Sequence, residues 1–212
     1  MKLLVAALVS ALTLLLPATA GARPACFGHL DPDGTCHVHD DGPDYTVDIG
    51  YPTDYPDQGR LTDFVERQRD EFVGWATETP GPAQKSLDIV ADEYRSGSAT
   101  SGTRSVVLTI GADTGVHPVT TYETFTYDLE AKAPITIENL FKPGAEPLTV
   151  LNPIVDRETN SANELLTLDG YRDFALTDDA VTFFFAQDGL LPHEAGPLTV
   201  AVPRTQLAGM LA

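Results

Sequence analysis

Positive charge is scarce in this chain, and its scarcity limits the partners that the protein can have. Thirteen lysines and arginines stand against 31 aspartates and glutamates, giving a formal net charge of −18. Nucleic acids and anionic membrane surfaces are bound through clusters of basic side chains. The composition therefore argues against both and is compatible with cationic partners, although acidity of this kind can also simply keep a protein soluble.

Cysteine is almost absent as well. Its two copies, Cys26 and Cys36, lie close together near the N-terminus. In an oxidising compartment such an isolated pair is most simply a disulfide, which leaves no thiol for catalysis. The C-x-x-C spacing of redox-active pairs is missing. We expect the bridge to close an N-terminal arm, residues 21–43, and we expect the main core not to need this bridge.

The motifs of common hydrolases are missing too. No serine of the mature chain stands in a G-x-S-x-G elbow, and neither a phosphate-binding loop nor a zinc-protease helix motif occurs. A Ser–His–Asp triad assembled in space stays open, because triads are defined by geometry. A catalytic carboxylate pair also stays open, since spacing cannot identify it among 31 acids.

The one long apolar run stands at the start of the chain. Lys2 precedes the apolar residues 3–16, and Pro17 and the small-x-small triplet 18–20 follow. This order is typical of a signal peptide, and the run is shorter than the roughly 20 residues of a membrane span. We expect cleavage after Ala20, no membrane span afterwards, and a protein that is secreted or associated with the cell wall.

The mature chain consists of strand and helix patterns with turn-length breaks between them. Residues 44–51 alternate as a half-buried strand does. Residues 61–75 carry apolar side chains at helical spacing and end at the Pro- and Gly-rich segment 79–82, which predicts an amphipathic helix of about four turns. Further candidates are strands at 86–94, 103–111 and 120–129, a short strand and turn at 135–141, and a second helix at about 148–166.

The clearest strand pattern lies in residues 171–207. Three apolar runs, at 174–176, 181–185 and 198–202, are separated by turns containing Asp, Gly or Pro. Because side chains alternate along a strand, Phe183 and Phe185 fall on one face and Phe184 on the other. We expect this strand to be covered on both sides.

These patterns predict one fold class. The chain shows no internal repeat, low-complexity tract or linker. We predict a single compact α+β domain with mixed or antiparallel sheets and two main helices. A weak seam near residue 130 would separate an N-terminal half, 44–130, from a C-terminal half, 131–212.

Histidines and aspartates gather just after the second cysteine. On a strand, His37 and His39 would point the same way, which suits metal ligands. Asp40 and Asp41 follow, but the pattern fixes no third ligand and the surrounding segment is loop-like. The pattern favours a solvated acidic arm, and we assign no metal ligand.

His117 is the candidate for a polar site. It stands in a turn, and the strand that follows contains Thr120, Tyr122 and Glu123. These residues could form a small binding site, or the histidine ring could tie down its turn through a backbone hydrogen bond. If the protein is a serine esterase, His117 would act with a serine that the sequence does not identify.

A series of short segments spans essentially the whole mature chain. They are YPDQ at 55–58, RSVVL at 104–108, HP at 117–118, TTY at 120–122, PIT at 134–136, PIV at 153–155, YRDFA at 171–175, FFF at 183–185, LLP at 190–192, AGP at 195–197 and VPR at 202–204. In this order they resemble the mycobacterial secreted immunogenic antigens of the MPT/MPB type, and the cysteine pair also fits. The C-terminal part is similar to the RsiV-type domain of lysozyme-sensing anti-sigma factors.

The resemblance implies a secreted α+β protein without a cofactor. Esterase activity is associated with one relative, whereas the membrane and cytoplasmic parts of an anti-sigma factor find no counterpart in this chain. We therefore expect a monomeric extracellular binding module whose ligand is a cell-envelope component or a cationic protein such as lysozyme. The alternative is a weak secreted carboxylesterase acting on short-chain esters, and a module without a ligand is the third hypothesis.

Overall fold

A seven-stranded sheet, with its strands in chain order, forms the frame of the fold. The computed structural model describes residues 25–159 and 166–212, so the expected signal peptide lies outside the described residues. All neighbouring strands are antiparallel except the third and fourth, which are parallel. The strands are β1 His29–Leu30, β2 Thr35–Asp41, β3 Tyr45–Pro52, β4 Lys85–Ser96, β5 Thr103–Asp113, β6 Pro118–Asp128 and β7 Ala133–Ile135.

Helix α1, Gln58–Glu78, provides the crossover between the parallel strands β3 and β4. It is longer than the four turns predicted. Leu61 and Val65 are fully buried against one face of the sheet, and each such side chain stabilises the fold by about 1.5–3 kcal/mol. Trp75 lies at the margin of this packing, 37% exposed, with the Lys85 ammonium 5.5 Å from its ring centre.

A second, three-stranded antiparallel sheet lies on the opposite face of the large sheet. Its strands are β8 Phe174–Leu176, β9 Ala180–Phe185 and β10 Leu198–Pro203, in the order β10-β9-β8. Phe184 points to the large sheet and contacts Tyr94 and Tyr122 there. Phe183 and Phe185 point away and contact Tyr171. The prediction that this strand is covered on both sides is confirmed.

Short helices cover the outer face of the small sheet. They are α2 Ile137–Leu140, α3 Leu148–Thr159 and the 3-10 turn Leu168–Tyr171. The buried Tyr171 hydroxyl donates to the Asn152 side-chain oxygen over 2.8 Å, which ties the turn to α3. Residues 135–141 were predicted as strand and turn, but β7 ends at Ile135 and α2 begins at once. The helix forms there because Thr136 and Asn139 make a capping box.

The N-terminal arm is part of the large sheet. The predicted Cys26–Cys36 disulfide is present, but the prediction of a loop-like segment around His37 is wrong. Residues 35–41 form β2, which pairs along its length with β3 and buries Cys36 and Val38 in the core. Cross-strand pairing therefore overrides the polar composition of this segment.

Four layers result: α1, the large sheet, the small sheet and the outer helices. The fold is a single α+β domain with two main helices, α1 and α3, as predicted. Within residues 25–159 and 166–212, no helix is long and apolar enough to span a membrane.

Candidate functional site

His117 lies in the exposed turn between β5 and β6, and its ring contacts a second histidine. The ring centres of His117 and His193 are 5.7 Å apart. His193 Nδ1 is 2.9 Å from Asp188 Oδ2, and the Gln187 side-chain amide donates to the His193 carbonyl over 3.0 Å. In the described part of the chain the His117 ring makes no hydrogen bond to its own turn. The histidine pair joins this turn to residues 187–193.

The other predicted site residues do not form one site with His117. Thr120 is bound at the edge of β6, where its N–H donates to the Gln187 side-chain oxygen over 3.0 Å. Tyr122 packs on Phe184 between the two sheets. Glu123 points to the opposite face of β6, because side chains alternate along a strand. The predicted site residues on β6 therefore lie on different faces of the strand and do not meet in one place.

No serine of the described residues is hydrogen-bonded to a histidine. Ser105 is fully buried and accepts hydrogen bonds from the Thr126 hydroxyl and the Leu176 N–H. Ser96 is buried against Thr103. Of the remaining serines after residue 20, Ser98 and Ser101 bond to each other in an exposed loop, Ser86 is partly buried in β4, and Ser161 lies outside the described residues. Among the serines that the structure describes, none is a hydrogen-bond partner of His117.

Two carboxylates that the sequence did not connect, Glu123 and Asp173, lie beside the edge of β6. In the described structure, β7 pairs with β6 only at residues 126–128, so the edge before Thr126 has no strand beside it. The segment entering β8 lies against this edge, where the Phe174 N–H donates to Thr124 Oγ1 over 3.1 Å. This arrangement brings Asp173 to Glu123.

The two acids face a cleft made of two adjoining cavities. One has a volume of about 190 Å³ and is lined by Asp173 and Arg172. The other has a volume of about 490 Å³ and is lined by Phe64 and Arg67. Arg60 and Glu123 line both cavities, so the two adjoin at these side chains. We call the pair of cavities the Glu123–Asp173 cleft.

The cleft raises the pKa of both acids. Burial raises the pKa of Glu123, opposed by the charges of Arg60, Arg172 and Arg67. Burial, followed by the charge of Glu123, raises the pKa of Asp173 to about 6, while Arg172 and hydrogen bonds from Thr124 act in the opposite direction. Carboxylates with such shifts are concentrated at functional sites.

Arginine side chains line the mouth of the cleft. The Arg60 guanidinium lies 5.5 Å from the centre of the Phe125 ring, and Arg67 lies 5.3 Å from that of Phe64. Within the described residues, Arg60 forms no ion pair with a carboxylate. Its N–H groups are therefore available to an oxygen of a ligand.

A second polar surface is the uncovered part of the large sheet. The small sheet covers β4–β6 but leaves the same face of β2–β4 exposed, with Val90 60% accessible. A shallow hollow of about 370 Å³ lies over these strands. We call this surface the open sheet face; its outward residues are Thr35, His37, His39, Asp41, Thr46, Asp48, Gly50, Pro52, Ser86, Asp88, Val90 and Asp92.

The histidines of the open sheet face are engaged by aspartates. His39 Nδ1 is 2.6 Å from Asp48 Oδ1, and its Nε2 is 2.9 Å from Asp41 Oδ2. These hydrogen bonds, Asp48 first, raise the pKa of His39. His37 and His39 do point the same way, but residues 25–159 and 166–212 contain no group of three or more His, Cys, Asp or Glu side chains that could hold a metal ion.

Solved structures and a family model place the fold in a known class. A DUF3298 family protein of Pseudomonas aeruginosa PAO1 aligns with a TM-score of 0.57 at 17% identity, over 84% of this chain and 94% of that one. A DUF3298 family member of Bacteroides fragilis NCTC 9343 gives 0.53 at 13%, over 84% and 92%. The model of DUF3298, a protein family of unknown function, matches residues 138–205. The C-terminal part is thus a DUF3298 domain.

Named relatives then identify the family. Esterase Rv3036c of Mycobacterium tuberculosis is 39% identical over 219 residues, covering 97% of this chain and 96% of that protein. Immunogenic proteins MPT64 of M. tuberculosis and MPB64 of Mycobacterium bovis are 36% identical over 228 residues and the full length of both chains. The chain belongs to the MPT64/MPB64 family of immunogenic proteins, as the sequence landmarks predicted.

Proposed function

We propose that the protein is a secreted, monomeric binding protein whose open sheet face takes up a cationic protein. The observation that carries the proposal is the charge of this face. Asp41, Asp48, Asp88 and Asp92 point outward from β2–β4, and no lysine or arginine stands at an outward position of these strands. The net charge of −18 extends the negative field around it.

An extracellular setting is supported by two features. Residues 1–20 have the pattern of a signal peptide, and the Cys26–Cys36 disulfide is typical of oxidising compartments. Lysozyme, a basic protein, is the partner to test first because of the RsiV-type likeness. Cell-envelope glycan is the other ligand class, and it would not share the salt dependence expected of a charged partner.

The experiment measures lysozyme binding to the purified mature protein at low and high salt. We expect a complex at low salt that salt weakens, and Asp48→Asn/Asp88→Asn should weaken it roughly two- to thirty-fold, because exposed charge pairs contribute modestly. The matched control, Glu71→Gln/Glu78→Gln, removes the same charge from exposed positions of α1. Absence of a complex, or equal weakening in both double variants, contradicts the proposal.

Hydrolysis of short-chain carboxylic esters is the second candidate function. It is favoured by the name of the relative Esterase Rv3036c and by the paired acids of the Glu123–Asp173 cleft. The test is turnover of a short-chain p-nitrophenyl ester beside a heat-denatured control. Turnover that denaturation abolishes supports the esterase; turnover equal to the denatured control removes this candidate and leaves the binding protein.

A further inference from the structure

We propose that the Glu123–Asp173 cleft is the site of ester hydrolysis, that Asp173 is the base for an attacking water, and that Arg60 binds the developing oxyanion. The inference rests on the second candidate function and assigns it a site. We place the site away from serine because, among the described residues, no serine is hydrogen-bonded to a histidine.

The shape of the cleft suits a small ester. Its smaller cavity, about 190 Å³, is lined by Asp173, and its larger cavity is lined by Phe64 and Phe125. The smaller cavity accommodates a short acyl chain, and the rings provide an apolar surface for the alcohol portion. Arg60 lines both parts, so a carbonyl oxygen placed between them meets its guanidinium.

The hydrolytic step needs only water and the ester. The Asp173 carboxylate takes a proton from water as the water oxygen bonds to the acyl carbon. The carbonyl electron pair moves to its oxygen, where Arg60 donates hydrogen bonds. The tetrahedral intermediate then re-forms the carbonyl and breaks the bond to the alcohol oxygen. The departing alkoxide takes the proton back from Asp173, giving a carboxylic acid and an alcohol.

Asp173 has the properties that a general base at neutral pH requires. Its pKa of about 6 leaves most of it ionised at pH 7 while keeping it a better proton acceptor than an ordinary aspartate. Arg172 Nε lies 3.8 Å from Asp173 Oδ2, so the carboxylate is oriented without being held in a close ion pair. The charge of Glu123 helps to maintain the raised pKa.

A structural role for Asp173 predicts a different outcome. Asp173 also has structural contacts. Its carbonyl accepts the Phe184 N–H over 2.9 Å, which joins it to β9, and its side chain is hydrogen-bonded by Thr124 of the large sheet. Asn in its place keeps the shape and an acceptor oxygen but cannot take a proton. Asp173→Asn therefore separates proton transfer from positioning.

The experiment compares kcat/KM for p-nitrophenyl butyrate in the wild type, Asp173→Asn, Arg60→Met and the control Glu71→Gln, with thermal melting of each. We expect Asp173→Asn to lose on the order of 10²- to 10⁴-fold, Arg60→Met to lose on the order of 10²-fold, and Glu71→Gln to be unchanged. The wild-type rate should rise with pH through an apparent pKa of about 6, a limb that Asp173→Asn lacks.

Each other outcome points to a different failure. Turnover no higher than in the denatured control removes the esterase function and this inference together. Turnover that survives Asp173→Asn but is lost in Ser86→Ala or His117→Ala leaves the esterase function and overturns the site. If Asp173→Asn does not fold, Arg60→Met decides, because Arg60 is exposed on α1; full activity in that folded variant overturns the inference.

Discussion

Replacing Phe184 by alanine removes the side chain that links the two sheets. Phe184 points from β9 into the space between them, where its ring centre lies 5.3 Å from that of Tyr122 and 5.9 Å from that of Tyr94. Val107 and Ala175 complete the same buried cluster. Few other large side chains reach this space, so the neighbours cannot close the cavity that alanine would leave.

The expected cost follows from its burial. Truncation of a buried phenylalanine destabilises proteins by about 3–5 kcal/mol, a large share of the roughly 5–15 kcal/mol that stabilises a domain of this kind. Phe184 is almost completely buried, so we expect Phe184→Ala to lower the free energy of unfolding by an amount within this range. Phe72, which lies on α1 and is only partly buried, should cost less when it is replaced by alanine.

Urea unfolding, followed both by tryptophan fluorescence and by circular dichroism, measures this cost. The single tryptophan, Trp75, reports on α1, whereas circular dichroism also reports on the sheets. We expect coincident transitions at lower urea in Phe184→Ala. A loss below about 1 kcal/mol, or a sheet transition separate from that of Trp75, would refute the packing of the two sheets into one cooperative unit.

Three further predictions concern single features. Cys26→Ser/Cys36→Ser should lower the free energy of unfolding by about 2–3 kcal/mol, measured by urea unfolding; no change would contradict the bridge. Arg104→Met should cost about 1–3 kcal/mol in the same assay, because Arg104 is bound by Asp54 and Glu93; an unchanged midpoint would contradict this. The raised pKa of His39 should stabilise the wild type over His39→Gln below about pH 6.5, an advantage lost as pH rises through that pKa; parallel pH profiles of the urea midpoint would contradict it.

Local patterns sufficed to predict the strands of the small sheet. Residues 174–176 match β8 as predicted, and residues 181–185 and 198–202 match β9 and β10 to within one residue at an end. The reason is physical: turn-forming Asp, Gly and Pro bound these runs. The apolar side chains of β8 and β9 are buried on both faces, and those of β10 are buried on one face. Local sequence patterns did not predict β2, because this segment forms a strand through its pairing with β3.

The candidate site could not be predicted in the same way. Glu123 was included among the site residues because of its neighbours in sequence, yet its partner Asp173 lies 50 positions away. The two meet because the segment before β8 packs against the edge of β6, and this contact is decided by tertiary packing. One signal was present: Asp173 stands within YRDFA, a segment that carried the family resemblance.

The proposal of a cationic partner is tested most directly by nuclear magnetic resonance with lysozyme as titrant. Backbone amide shifts of isotope-labelled mature protein would be followed at low salt. The account predicts shift changes concentrated at the outward positions of β2–β4, among them His37, Asp48 and Asp88, and their reversal by added salt. An absence of shift changes, or changes confined to α1 or to the Glu123–Asp173 cleft, would contradict it.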